Sequence, residues 1–155
     1  MDVLSNIHTL HINASSANEA LGLLAEYANN QSLVKPGFYQ ALIDREHEYP
    51  TGLHTSGIDV AIPHTDAEWT IKPALIIGIL DNPVVFQPMG MEGSDVQAKI
   101  IFLIIISNPD DQIYLLKALG LILQDKEIME NLSGTTDLAD FVNHLQSISD
   151  EVAEE

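Results

Sequence analysis

Gln97-Ala98-Lys99-Ile100-Ile101-Phe102-Leu103-Ile104-Ile105-Ile106-Ser107 is the stretch on which the fold turns. Residues 100–106 contain no polar side chain. A strand without polar alternation is buried on both faces and needs a covering layer on each. The run is too short to span a membrane, which takes about 20 apolar residues as a helix. Asn108-Pro109 closes it, and a helix is expected around residues 112–123.

Moving outward, residues 74–80 form a second strand with both faces apolar, and residues 84–86 a third. Residues 58–63 form a short apolar strand, and residues 51–57 read as loop. Helices flank this block. Ser15 or Ser16 caps the first, which has Glu19 in its first turn and Ala20, Leu21, Leu23, Leu24, Tyr27 and Ala28 at helical spacing. Asn29 and Asn30 mark its end. A second helix starts at Pro36 and turns Phe38, Tyr39, Leu42 and Ile43 inward. It stops before Pro50, because proline disfavours helical geometry in the residue before it. A short helix is expected over residues 126–132, and a last one, capped by Thr135 or Thr136, through Phe141 to Leu145. The expected fold is therefore α/β, a mixed central β-sheet sandwiched by helices on both faces.

The chain has 155 residues, 46% of them apolar and 19% charged. That balance excludes a disordered chain. One domain is expected over residues 1–149, with an acidic tail, residues 150–155, that frays. Asp and Glu number 23 against 6 Lys and Arg, a net charge of -17. Phosphate backbones and anionic lipid repel such a surface, so nucleic acid is not an expected partner. A protein with a basic docking face is steered towards it. There is no cysteine, which excludes disulfides, thiolate catalysis and cysteine metal sites. Residues 1–11 have neither a basic region nor a long apolar run, so they do not read as a signal peptide. A cytoplasmic location is expected. No Gly-rich turn follows the first strand and no GxxxxGK[ST] occurs, so no nucleotide cofactor is expected.

The remaining chemistry rests on histidines and carboxylates. The histidines are His8, His11, His47, His54, His64 and His144. His64 ends the apolar strand at Val60-Ala61-Ile62-Pro63 and is followed by Thr65 and Asp66. A strand end holds a side chain rigidly at the edge of an exposed loop. A neutral imidazole there is a nucleophile if one ring nitrogen is tied to a carbonyl. The plain alternative is a polar residue opening a loop. Arg45 is the one arginine in the chain, between Asp44 and Glu46. It is either neutralised by them in a helix ion pair or held for an anion, which a guanidinium grips through its planar fork. For metals, His8 and His11 are at i, i+3, and no HExxH occurs. His54 and His64 with Asp59 or Asp66 form a zinc set only in principle, so no metal is expected. No GxSxG supports a serine hydrolase, and no aromatic cluster supports a two-carboxylate glycosidase.

Taken together, Arg45-Glu46-(four residues)-Thr51-Gly52-Leu53 and Gly57-(two residues)-Val60-Ala61-Ile62-Pro63-His64-Thr65 resemble the signature of the fructose/mannitol-type enzymes IIA of the bacterial sugar phosphotransferase system. Pro73, the strand after it, Pro83-Val84-Val85-Phe86 and the buried strand leading into Asn108 extend the resemblance over about residues 12–146. The resemblance implies a phosphotransferase without cofactor. His64 would accept a phosphoryl group on Nε2 from phospho-HPr and pass it to an enzyme IIB, which serves the membrane enzyme IIC. Arg45 matches the family's arginine beside that histidine. Mannitol and fructose members carry a second histidine at the start of the helix after the long strand. Here that position is Gln112, in Asp110-Asp111-Gln112-Ile113, which can donate a hydrogen bond but cannot become charged. In this the chain resembles the galactitol-like branch, whose enzyme IIB uses a phosphocysteine; with no cysteine here, that IIB must be a separate chain. A second implied reading is a regulatory binding module like the nitrogen-related enzymes IIA, in which phosphorylation of His64 alters a protein contact without onward transfer.

Overall fold

The computed structural model describes residues 2–133 and 138–154. Its centre is a five-stranded mixed sheet in the order β1-β4-β5-β3-β2. The strands are β1 (Ile7–Ile12), β2 (Gly52–Leu53), β3 (Asp59–Ala61), β4 (Ala74–Phe86) and β5 (Val96–Ile105). β1 runs parallel to β4 and β3 parallel to β5, whereas β4 and β5 are antiparallel, as are β2 and β3. The helices are α1 (Ala17–Asn30), α2 (Phe38–Glu48), α3 (Pro109–Leu123), α4 (Lys126–Ser133) and α5 (Ala139–Glu154).

The unbroken apolar run in β5 divides by strand alternation between two cores. Ile101, Leu103 and Ile105 join Ala74, Ile76 and Leu80 of β4 under α1 and α2. Ile100, Phe102 and Ile104 join Leu75, Ile77 and Ile79 under α3, α4 and α5. Phe102 stacks on Phe141 of α5, with ring centroids 5.3 Å apart. Each strand is thus apolar on successive residues because each face has its own helical cover. At Gly78 of β4 an added Cβ would stand 3.0 Å from Leu24 Cδ2, so the missing side chain lets α1 settle onto the sheet.

Local chemistry sets the helix boundaries. Ser16 caps α1 by accepting from the Glu19 N–H at 3.1 Å, and Glu19 accepts from the Ser15 hydroxyl at 2.8 Å. α2 starts at Phe38, two residues after Pro36, behind Gly37 in the left-handed region at φ 97°. Phe38 and Leu42 are buried as expected, but Tyr39 is 44% exposed. The Asn108 side chain caps α3 by accepting from the Asp110 N–H at 2.9 Å, with Pro109 next.

Four features differ from the sequence reading. Residues 7–12 form an edge strand, β1, where none was expected. Gly52–Leu53, read as loop, pairs with Ala61 and Val60. The strands expected at residues 74–80 and 84–86 are one strand, whose register with β5 breaks between Ile79 and Val84. Pro83, which has no N–H to give the ladder, lies in that break. The acidic end continues as α5 to Glu154, with Val152 buried. Thr135 and Thr136 lie outside the described residues.

Candidate functional site

The residues after β3 carry the first candidate, His64. The Ile62 N–H donates to the Thr51 carbonyl at 3.2 Å, and the Ile104 N–H donates to the Pro63 carbonyl at 3.1 Å. His64 itself bridges to Ile104 in parallel register. The β3–β5 alignment therefore continues past the end of β3, and His64 is held on a rigid rail. Its Nδ1 lies 2.8 Å from the Ile62 carbonyl oxygen. A carbonyl only accepts, so Nδ1 carries the hydrogen and the lone pair falls on Nε2. Burial pushes the His64 pKa below its ordinary 6.5, and the Arg45 charge pushes the same way, against the Ile62 hydrogen bond and Asp66. The ring is neutral at neutral pH, which is its nucleophilic form.

Arg45 occupies the last turn of α2. Its guanidinium lies over the Tyr49 ring, 4.8 Å from the centroid, and its Nη1 is 3.6 Å from an Asp66 carboxylate oxygen. Its sequence neighbours do not neutralise it. Asp44 accepts from the Gln40 side-chain amide at 2.8 Å. Glu46 is buried and turned to Thr51, whose N–H it accepts at 2.8 Å. The charge that Arg45 meets is therefore a carboxylate 21 residues along the chain, two residues past His64.

Gln112 stands in the first turn of α3, half-buried, its N–H directed at the Asn108 carbonyl at 3.4 Å. Residues 106–108 alone connect β5 to α3, and β5 is the strand that flanks His64. Gln112 is thus placed at the same end of the sheet as His64 and Arg45.

The other histidines lie elsewhere. His8 on β1 is bonded to the Tyr27 hydroxyl at 2.7 Å and the Asn6 side-chain oxygen at 2.9 Å. His54 meets Asp59 at 2.8 Å and the Ser94 carbonyl at 3.0 Å, at the start of β3 rather than its end. Those two acceptors, the Ser94 carbonyl first, raise its pKa. His11 is on β1, His47 on α2 and His144 on α5. Among the described residues no three His, Asp or Glu side chains are grouped so as to hold a metal ion.

Sequence reasoning did not single out Asp66 or Tyr49 as partners of Arg45. Tyr49 had a usable signal, since it lies four residues after Arg45 at the end of the same helix. Asp66 had none beyond its closeness to His64.

A family model for the EIIA 2 component of the phosphoenolpyruvate-dependent sugar phosphotransferase system matches residues 4–148. The chain belongs to this family. As an enzyme IIA it is a component of a phosphotransferase. It is 37% identical over 93 residues to the galactitol-specific EIIA component of Escherichia coli strain K12, a match covering 60% of this chain and 61% of that protein. The match thus spans less than two thirds of that relative's length. The fold is similar to the enzyme IIA in the complex of enzyme IIAMTL and phosphorylated enzyme IIBMTL from Escherichia coli, with a TM-score of 0.69 at 26% identity, covering 92% of this chain and 94% of that one. It also matches the nitrogen regulatory protein IIA-Ntr from Neisseria meningitidis, with a TM-score of 0.71 at 21% identity over 92% of this chain and 94% of that one, a likeness of fold alone. Among the described residues no helix is long and apolar enough to cross a membrane.

Proposed function

We propose that this enzyme IIA is a cytoplasmic phosphocarrier. His64 accepts a phosphoryl group from phospho-HPr and passes it to an enzyme IIB on a separate chain, which serves a membrane enzyme IIC for a galactitol-like sugar alcohol or related sugar. One observation carries the reading: the Nδ1–H of His64 is committed to the Ile62 carbonyl, which leaves the lone pair on Nε2. That lone pair forms the new N–P bond as the donor's P–N bond breaks, and the electron pair of the broken bond stays on the donor nitrogen. No side chain has to remove a proton. The Ile62 carbonyl steadies the positive charge that the phosphorylated ring acquires.

Transfer of this kind needs alignment and charge stabilisation above all. Arg45 supplies a guanidinium for the phosphoryl oxygens, and the Gln112 amide supplies a neutral donor. Asp66 occupies Arg45 at rest and yields it to the incoming anion. The net charge of -17 favours docking to a basic partner face. The 37% identity to a galactitol-specific component supports the transport reading over a regulatory one.

The test is phosphorylation with enzyme I, HPr and phosphoenolpyruvate, followed by intact mass at alkaline pH. One phosphate is expected on the parent and none on His64→Ala. A His64→Ala variant that still gains a phosphate refutes the assignment. Phosphorylation of His64 with no discharge to any cognate enzyme IIB would instead favour the regulatory module.

A further inference from the structure

Glu46 is a buried acid for which the transfer step has no direct use. It is 8% exposed, and it sits in the last turn of α2. An anion there faces the negative end of the helix dipole. Burial raises its pKa to about 7, against the two hydrogen bonds from Thr51, which favour the anion. Both effects disfavour a carboxylate at this place, so packing alone does not account for the residue.

Its contacts do. The Thr51 N–H donates to Glu46 Oε1 at 2.8 Å, and the Thr51 hydroxyl lies 3.0 Å from Oε1 and 2.8 Å from Oε2. Thr51 is 3% exposed, and its own carbonyl accepts the Ile62 N–H at 3.2 Å. The Ile62 carbonyl then accepts the His64 Nδ1–H at 2.8 Å. Gly52 locks the other side: its N–H donates to the Gln87 carbonyl at 3.0 Å, and a Cβ there would stand 2.6 Å from that oxygen. A line of hydrogen bonds thus runs from the end of α2 through Thr51 to the Ile62 N–H, and from the Ile62 carbonyl to the imidazole.

We propose that Glu46 is a positioning residue for His64: it clamps Thr51, Thr51 holds the N–H of Ile62, and the carbonyl of that same residue fixes the Nδ1–H tautomer and so the direction of Nε2. The inference rests on His64 as the phosphoryl acceptor. Glu46 borders a crevice of about 280 Å³ lined by Ala17, Asn18, His47, Pro50 and residues 85–87. His47 is the other titratable group in that lining, and Arg45 is its charged neighbour on α2. α1 and β4 bring no charge to it.

The test reads the ring directly, by the nitrogen chemical shifts of His64 in labelled protein, beside kcat/KM for transfer from phospho-HPr. The parent shows the Nδ1–H tautomer. Glu46→Ala shifts the ring towards the other tautomer and lowers kcat/KM about ten- to a hundredfold, the scale of a small misplacement. Glu46→Gln keeps an acceptor for the Thr51 N–H and a donor for its hydroxyl. It restores tautomer and rate, with a flatter profile across pH 7 than the parent. If Glu46→Ala does not fold, Thr51→Val, which removes only the hydroxyl, shifts the ring in the same sense. An unshifted ring in the folded variant overturns the proposal, whether or not melting or rate has fallen. The shifts are read without phosphate, so a wrong phosphosite shows separately, as a His64→Ala protein that still gains one.

Discussion

Replacing Arg45 with glutamine separates an anion-stabilising arginine from a structural one by size and by observable. The resting pair with Asp66 is 3.6 Å long, and its two side chains are 38% and 69% exposed. Such a pair contributes at most about 1 kcal/mol to stability. A guanidinium about 4 Å from a phosphoryl oxygen, at an effective dielectric near 20, is worth about 4 kcal/mol per unit charge. Partial exposure of Arg45 brings the expectation to about 3 kcal/mol in the transfer barrier, on the order of a hundredfold in rate. Arg45→Lys keeps the charge but loses the planar fork and the stacking on Tyr49, so it recovers only part of the rate. The assay follows phosphate from labelled phospho-HPr to His64 under single-turnover conditions, beside a thermal melt of each variant. The expected pattern is a large rate loss in Arg45→Gln, an intermediate value in Arg45→Lys, and nearly unchanged melting in both. Normal transfer with lowered melting would refute the reasoning and make Arg45 a structural residue.

Gln112→His is expected to introduce a pH dependence of transfer that the parent lacks, and Gln112→Ala to slow transfer. Coincident pH profiles for all three proteins would remove Gln112 from the site. Stability carries two opposed pH effects. The folded-state pKa of Glu46 is raised from 4.5 to about 7, so the folded chain holds a proton that the unfolded chain has released, and stability falls across that window by about 3 kcal/mol. The His64 pKa is lowered, so just below 6.5 the unfolded chain binds the extra proton and stability rises with pH there. Urea denaturation from pH 4.5 to 7.5 is expected to show the net fall in the parent and its loss in Glu46→Gln. An identical slope in both proteins would contradict it.

The sheet was legible where local pattern is sufficient. An apolar run with no polar alternation implies cover on both faces wherever the helices come from, and caps such as Ser16 and Asn108 act within a few residues. β1 was not legible, because Ile7, Leu10 and Ile12 do not alternate cleanly and the strand pairs on one side only, with β4. β2 is too short to carry a period and is defined by its neighbours, β3 on one side and residues 87–88 on the other. The tail looked solvated by composition, yet it continues α5 to Glu154 with Val152 buried.

As candidates, His64, Arg45 and Gln112 were nameable from the chain, the first two by residue type and place together with the family resemblance and Gln112 through that resemblance alone. What joins them was not. Arg45 has acidic neighbours in Asp44, Glu46 and Glu48, and sequence alone favours those nearest it. Asp44 pairs locally with Gln40 one helical turn back, but only folding buries Glu46 on Thr51 and carries Asp66 to the guanidinium. The His64 tautomer is likewise beyond sequence, because it depends on the carbonyl that Ile62 presents once β3 is seated against β5. Residue type and hydrophobic period act through the nearest neighbours in the chain, so they can be read from it. The partner of a charge or the tautomer of a ring depends on distances of a few ångströms between segments far apart in sequence, and these arise only when the sheet and α2 come together.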